Sequence, residues 1–263
     1  DGVLSISAKS TGSSSALALG SGTNTLQATG SGSLVLAGNS SGSGNAVSMI
    51  TGTNLMRTAG GDISISGTAT GSGSAIVLGD GAAQAKVEAT GAGNITLTAN
   101  RPVAMNLATL SSAGGNISVS GTGAGATQGI ALTGGSKILT TGAGGITLTA
   151  TNTGGSALLM GSGNNLVEAG GTGNITLNVQ SSNAGSGSGL TMGSGGTNTI
   201  RTVDGLLAVT ASSAGSSSAL ALGSGSNTLE ATGAGQLALS GSAGGSGNGI
   251  SLAGGTNQVR TVG

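Results

Sequence analysis

Gly93-Asn-Ile-Thr-Leu-Thr-Ala99 decides the fold, because its grammar returns along the chain as Asp62-Ile-Ser-Ile-Ser66, Asn116-Ile-Ser-Val-Ser120 and Asn174-Ile-Thr-Leu-Asn178. A short polar residue opens each segment, and Ile, Val or Leu then alternates with a small polar residue, usually Ser or Thr. Alternation at period two marks a β-strand with one buried face. Working outward, such segments open nine units of roughly 30 residues, beginning near Gly2, Ser33, Asp62, Asn94, Asn116, Ile146, Asn174, Leu206 and Gln236. The fourth unit, Asn94 to Gly115, is about eight residues short and holds the only proline, Pro102. A remodelled turn is expected there.

Every unit carries two further strand signals, separated by Gly/Ser/Asn/Thr turns. The second pairs apolar residues two apart, as in Val47/Met49, Ile76/Leu78, Leu190/Met192 and Leu220/Leu222. The third sets one large apolar residue before a small one: Leu26/Ala28, Val87/Ala89, Val167/Ala169 and Leu229/Ala231. Short strands at this spacing also suit a β-sandwich. A sandwich would require each unit to find its own hairpin partners, yet the units are alike and none can bury a core alone. Stacking like on like satisfies the backbone and builds one continuous core. The expectation is an all-β parallel β-helix, a three-sided solenoid of about nine rungs. At one strand spacing per rung it would be a rod about 40 Å long.

Composition agrees by what it omits. The chain has no Phe, Tyr, Trp, Cys or His, so its core must come from Leu, Ile, Val, Met and Ala. Its 57 glycines would suggest disorder in an unpatterned chain, but here the apolar residues are strictly placed. Seven Lys and Arg balance seven Asp and Glu, which leaves no basic stripe for nucleic acid and no polybasic patch for a membrane. No apolar run is long enough for a membrane helix. Neither nucleic acid nor membrane insertion is expected.

A longer period overlies the short one. Shifting the chain by 203 residues lays residues 1–60 over 204–263 without a gap, and Ser13 to Gly22 returns unchanged as Ser216 to Gly225. Residues 1–263 therefore read as one continuous solenoid with a seven-rung super-repeat. The sequence starts and stops in mid-pattern, which reads as a segment of a longer protein.

Stacked units turn equivalent positions into columns. The outward position of the third strand collects Gln27, Arg57, Glu88, Thr140, Glu168, Arg201, Glu230 and Arg260. Neighbouring rungs tend to alternate in sign, so a slipped rung would meet like charge, and we expect Arg57, Glu88, Glu168, Arg201, Glu230 and Arg260 to fix register. Arg201 is expected within reach of both Glu168 and Glu230. Two residues before the large apolar residue runs an amide column, Asn24, Asn54, Asn165, Asn198, Asn227 and Asn257, suited to hydrogen bonding up and down the stack. Small residues flank the second strand, among them Ala16, Ala18, Ala75, Ala157, Ala219 and Ala221. Read as an uncharged outward face, they are the expected surface for lateral assembly. The first strand turns hydroxyls outward instead: Ser64/Ser66, Thr96/Thr98, Ser118/Ser120 and Thr147/Thr149.

Catalysis usually needs His, Cys or clustered carboxylates. Of the carboxylates Asp1, Asp62, Asp80, Glu88, Glu168, Asp204 and Glu230, most fall on different rungs. Neither the calcium-binding Gly-Gly-x-Gly-x-Asp nonapeptide nor a phosphate loop is present. We expect no catalytic, cofactor or metal site.

The openings Gly93 to Ala99 and Gly61 to Ser66 resemble the repeats of filamentous haemagglutinin-type exoproteins, and Gly233-Ala-Gly-Gln-Leu-Ala-Leu-Ser-Gly241 is similar to autotransporter-associated β-strand repeats. The resemblance implies a right-handed parallel β-helix, exported to the bacterial surface or beyond, serving adhesion, biofilm or surface fibres. The expected function is a structural rod of such an adhesin or matrix filament. Its expected partners are itself, end to end or side by side, and cell-surface or matrix polysaccharide. Ice binding, through Thr-x-Thr rows, and direct glycan binding are the alternatives.

Overall fold

A computed structural model describes residues 2–263. Asp1, one of the carboxylates named above, lies outside the described residues. Those residues form 27 strands and no helix, arranged as three parallel sheets of nine strands. The first sheet runs, in chain order, through Val3–Ser10, Ser33–Ser40, Ile63–Ala69, Ile95–Ala99, Ile117–Gly123, Ile146–Asn152, Ile175–Ser181, Leu206–Ser213 and Gln236–Ala243. These open rungs one to nine. Each rung then gives one strand to the second sheet, such as Val47–Met49, and one to the third, such as Thr53–Thr58. Strands pair with their equivalents in the rungs before and after, which makes the chain a β-solenoid of about nine turns.

Like stacks on like. Ile63, Ile95, Ile117, Ile146 and Ile175 follow one another in register in the first sheet, and all are buried. Leu158, Leu190 and Leu220 do so in the second, and Val167, Ile200 and Leu229 in the third. One apolar cluster connects these columns, so the burial that no single rung can achieve is reached by contact with the next. At the terminal rungs the same inward positions lack a neighbour on one side: Leu4 is 40% exposed and Leu252 is 52% exposed.

The corner between the first and second sheets is tighter than period two suggests. A side chain on Gly38 would place its Cβ 2.1 Å from the Ala46 carbonyl oxygen and 2.8 Å from Val47 Cγ2. The chain loops out after the first strand and returns at Ala46, which packs inward before Val47 does the same. Consecutive inward residues at a corner break the strand alternation.

Rung four omits both intervening loops. Between Ile95–Ala99 and Val103–Asn106 only residues 100–102 remain, and between Val103–Asn106 and Ala108–Ser112 only Leu107, at φ 61°. Pro102 suits this short cut. Its carbonyl accepts from the Ala75 and Ile76 amides (3.1 and 3.2 Å), although its ring nitrogen cannot donate to the next rung as the Ala46 and Ala75 amides do.

Candidate functional site

The charged column of the third sheet is in register, and it holds three ion pairs between rungs. Arg57 Nε lies 3.0 Å from Glu88 Oε2, Arg201 Nη2 donates to Glu168 Oε2, and Arg260 Nε donates to Glu230 Oε1 at 3.0 Å. Glu88 also accepts from Lys86 Nζ on its own strand, at 2.9 Å. Glu230 faces Arg201 across the ladder, yet its ion pair is with Arg260, and Arg201 pairs with Glu168. Arg201 thus stands in register between the two carboxylates and forms its ion pair with one of them. Thr140 does not belong to the column. It is buried, stacked between Ser112 and Ala169, with its hydroxyl donating to the Gly144 carbonyl at 2.6 Å. The outward column passes through Ser111 and Leu139 instead. Thr58 and Thr202 occupy the same inward position on other rungs, the pattern that would have revealed it.

The amide column forms a hydrogen-bonded ladder inside the third-sheet corner. Nδ2 of Asn24 donates to Asn54 Oδ1 at 2.9 Å, Asn165 to Asn198 at 2.8 Å, Asn198 to Asn227 at 3.1 Å, and Asn227 to Asn257 at 2.9 Å. Each Nδ2 also donates to a carbonyl of the preceding turn, for example Asn24 to Gly20 (2.9 Å) and Asn227 to Gly223 (3.0 Å). Asn54, Asn165, Asn198 and Asn227 are buried, so these bonds replace water that cannot enter. The ladder stops where its turn changes. In rung three the loop 79–84 is closed by Asp80, and Ala85 takes the asparagine's place. Rung four has no loop, and Ala108 suffices there. In rung five Ser136 caps the Thr133 carbonyl (2.8 Å) and its amide donates to Asn165 Oδ1 (3.0 Å), which resumes the ladder.

The expected assembly face does not lie together on the surface. Ala75, Ala157 and Ala219 are buried members of the core, and Ala16 is half-buried. Their position is the corner return described for Ala46, where the chain packs against the first strand. Of the six alanines only Ala18 and, partly, Ala221 reach the surface. The middle residue of each short strand forms a single column through Ala18, Ser48 and Val77 in rungs one to three and Thr191, Ala221 and Ser251 in rungs seven to nine, and within it Ser48 is buried.

The first sheet is broader. Its outward hydroxyls pair in register from Ser64/Ser66 through Thr96/Thr98 and Ser118/Ser120 to Thr147/Thr149, continuing as Thr176/Asn178. Val35, Ala37, Ala208 and Ala238 interrupt the pattern towards either end.

Asp80 is held below the usual carboxylate range. The Ala83 amide at 2.7 Å contributes most, followed by the Ala82 amide (3.0 Å) and that of Thr51 (3.3 Å), all of which favour the ionised form. These bonds close an exposed loop, a structural task. Among the described residues no three of His, Cys, Asp and Glu gather closely enough to hold a metal ion. Set against models of protein families, against curated proteins and against solved structures, the chain matches none.

Proposed function

We propose that the chain is a structural rod of a bacterial extracellular adhesin or matrix filament, with no catalytic role of its own. The observation that carries this reading is the ladder inside the stack. Buried asparagine amides join rung to rung, and ion pairs of opposite sign repeat the linkage outside. Both fix register without creating a recess for a substrate, and a buried polar ladder is a device for specifying one alignment among near-equivalent ones. A repeat chain of low complexity needs that device if it is to bear load over many rungs.

Cells displaying the chain on their surface give the direct test. We expect greater cell aggregation or retention on a substratum, lost when Leu222→Asp disrupts the stack. Equal retention with the disrupted stack would overturn the reading.

A second reading rests on the hydroxyl columns of the first sheet. Paired Ser and Thr over rungs three to six form a grid of about 4.8 Å along the stack and about 6.6 Å across it. Such a grid could order water as an ice-binding surface does. Thermal hysteresis that vanishes on Thr98→Lys and Thr149→Lys supports it, and no hysteresis in the parent protein removes it.

A further inference from the structure

The missing loops of rung four leave a notch in the wall of the solenoid. Between the loop 79–84 of rung three and the turn 134–136 of rung five lies a cleft of about 350 Å³, with Leu107 and Thr109 contributed by rung four. Lys86 and Lys137 line it from either side. The register explains their placement: Thr109 stacks on Lys86 in one direction and on Lys137 in the other. Two ammonium groups, two rungs or about 10 Å apart at their backbones, thus flank one hydroxyl. Gln84 adds an amide at the rim.

The charge there is not cancelled. Arg57, Arg201 and Arg260 are paired with carboxylates, and Lys86 shares Glu88 with Arg57. Lys137 has no ion pair among the described residues. The other nearby carboxylate, Asp80, has its oxygens engaged by the Thr51, Ala82 and Ala83 amides. Three cations, Arg57, Lys86 and Lys137, and two carboxylates, Glu88 and Asp80, therefore lie about the notch, a local excess of one positive charge in a chain whose formal net charge is zero.

We infer that this cleft binds a carboxylate-bearing sugar residue of an acidic polysaccharide. The carboxylate would sit between Lys86 and Lys137, while Thr109 and Gln84 hydrogen-bond ring hydroxyls and Leu107 gives an apolar contact to a ring face. An extended peptide fits less well, because the strand Ala108–Ser112 is already paired on both sides and offers no free edge for an added strand. A densely sulfated chain fits less well too, since it calls for an array of cations where this site has one free ammonium and one shared with Glu88. The inference stands apart from the rod reading: a rod needs no such cleft, and the cleft would bind in a chain of any role.

The test is a titration of the isotope-labelled protein with an oligo-uronate, followed by amide shifts. Neutral oligosaccharide of the same length, sulfated oligosaccharide, inorganic sulfate and an oligo-glutamate peptide serve as comparison arms. We expect weak saturable binding of the oligo-uronate, with shifts centred on Gln84, Leu107, Thr109 and Lys137. Lys137→Gln should weaken it at least tenfold, and Lys86→Gln less, since the Lys86 ammonium is shared with Glu88. Raising the salt from 50 to 500 mM should weaken it severalfold, because the charges are exposed. Both lysines are exposed, so either variant should keep the parent circular dichroism and melting. The inference is overturned if oligo-uronate does not bind, if its shifts lie elsewhere or survive Lys137→Gln, or if the neutral sugar, the sulfated sugar, free sulfate or the peptide binds as tightly.

Discussion

Replacing Asn198 with alanine removes one link from the middle of the buried ladder, and the consequences can be counted. Asn198 is fully buried; it accepts from Asn165 Nδ2 at 2.8 Å and donates to Asn227 Oδ1 at 3.1 Å and to the Gly193 carbonyl at 3.4 Å. Asn165 keeps its bonds to the Gly161 and Ser162 carbonyls, so its amide is not stranded. Asn227 Oδ1 and the Gly193 carbonyl lose the donor that Asn198 gives them. A buried acceptor left without a donor costs about 1–3 kcal/mol, so the pair should cost about 2–6 kcal/mol. Alanine at this position is not intrinsically forbidden, because Ala85 and Ala108 occupy it in rungs three and four. The cost arises only where a turn carbonyl and a neighbouring asparagine wait for the amide. Denaturant unfolding measures the total. Amide exchange localises it, since each repeat contacts mainly its neighbours and the loss should concentrate in rungs six to eight. Asn257→Ala is the control: that residue is half-buried on the last rung, where water can replace its bonds, and should cost less than about 1 kcal/mol. If Asn198→Ala costs no more than Asn257→Ala, the ladder is not what holds the register.

Leu222→Asp places a carboxylate at a position 1% exposed, between Met192 and Leu252 in the second sheet. It should destabilise by more than about 4 kcal/mol or prevent folding, as circular dichroism and soluble yield would reveal. Gly38→Ala drives a Cβ to 2.1 Å from a main-chain oxygen, so the corner must shift, at about 1–3 kcal/mol in chemical denaturation. Asp80 gives a pH dependence of known sign. Its folded pKa is depressed, so it contributes stability above its unfolded pKa near 4, and that contribution is lost as pH falls through the lower folded value. Amide exchange at Ala82 and Ala83 should accelerate at that acid limb, and Asp80→Asn should flatten the response.

Much of the architecture was legible because period-two alternation and like-on-like stacking are both written in residue types. The Ile63 to Ile175 column and the Asn24 to Asn257 column lie where spacing placed them. Alternation fails where the backbone turns. Ala75 and Ile76 are both buried, since a corner sends consecutive side chains inward, and no property of alanine distinguishes such a corner from an outward face. Thr140 was misplaced for a related reason, because a hydroxyl suits either an exposed position or a buried one that caps a carbonyl. The notch was harder still to see. Lys86 and Lys137 stand 51 positions apart in sequence, and only the register through Thr109 brings them to one cleft.

That register links the defect in the repeat to its chemistry. A solenoid of identical rungs has columns but no sites, because every recess between two rungs is repeated or filled at the next. A site requires one rung to differ while its neighbours stay in line. Rung four differs by deletion, yet Ile95, Val103 and Leu110 still stack on Ile63, Ile76 and Val87 below and on Ile117, Ile130 and Ile138 above. The core therefore carries register across the gap where the asparagine ladder is interrupted at Ala85 and Ala108. Loops can be lost there without unravelling the stack, since loop length is loosely constrained while inward volume is not. In this geometry the short rung is the place where a chain built for repetition can hold a singular feature.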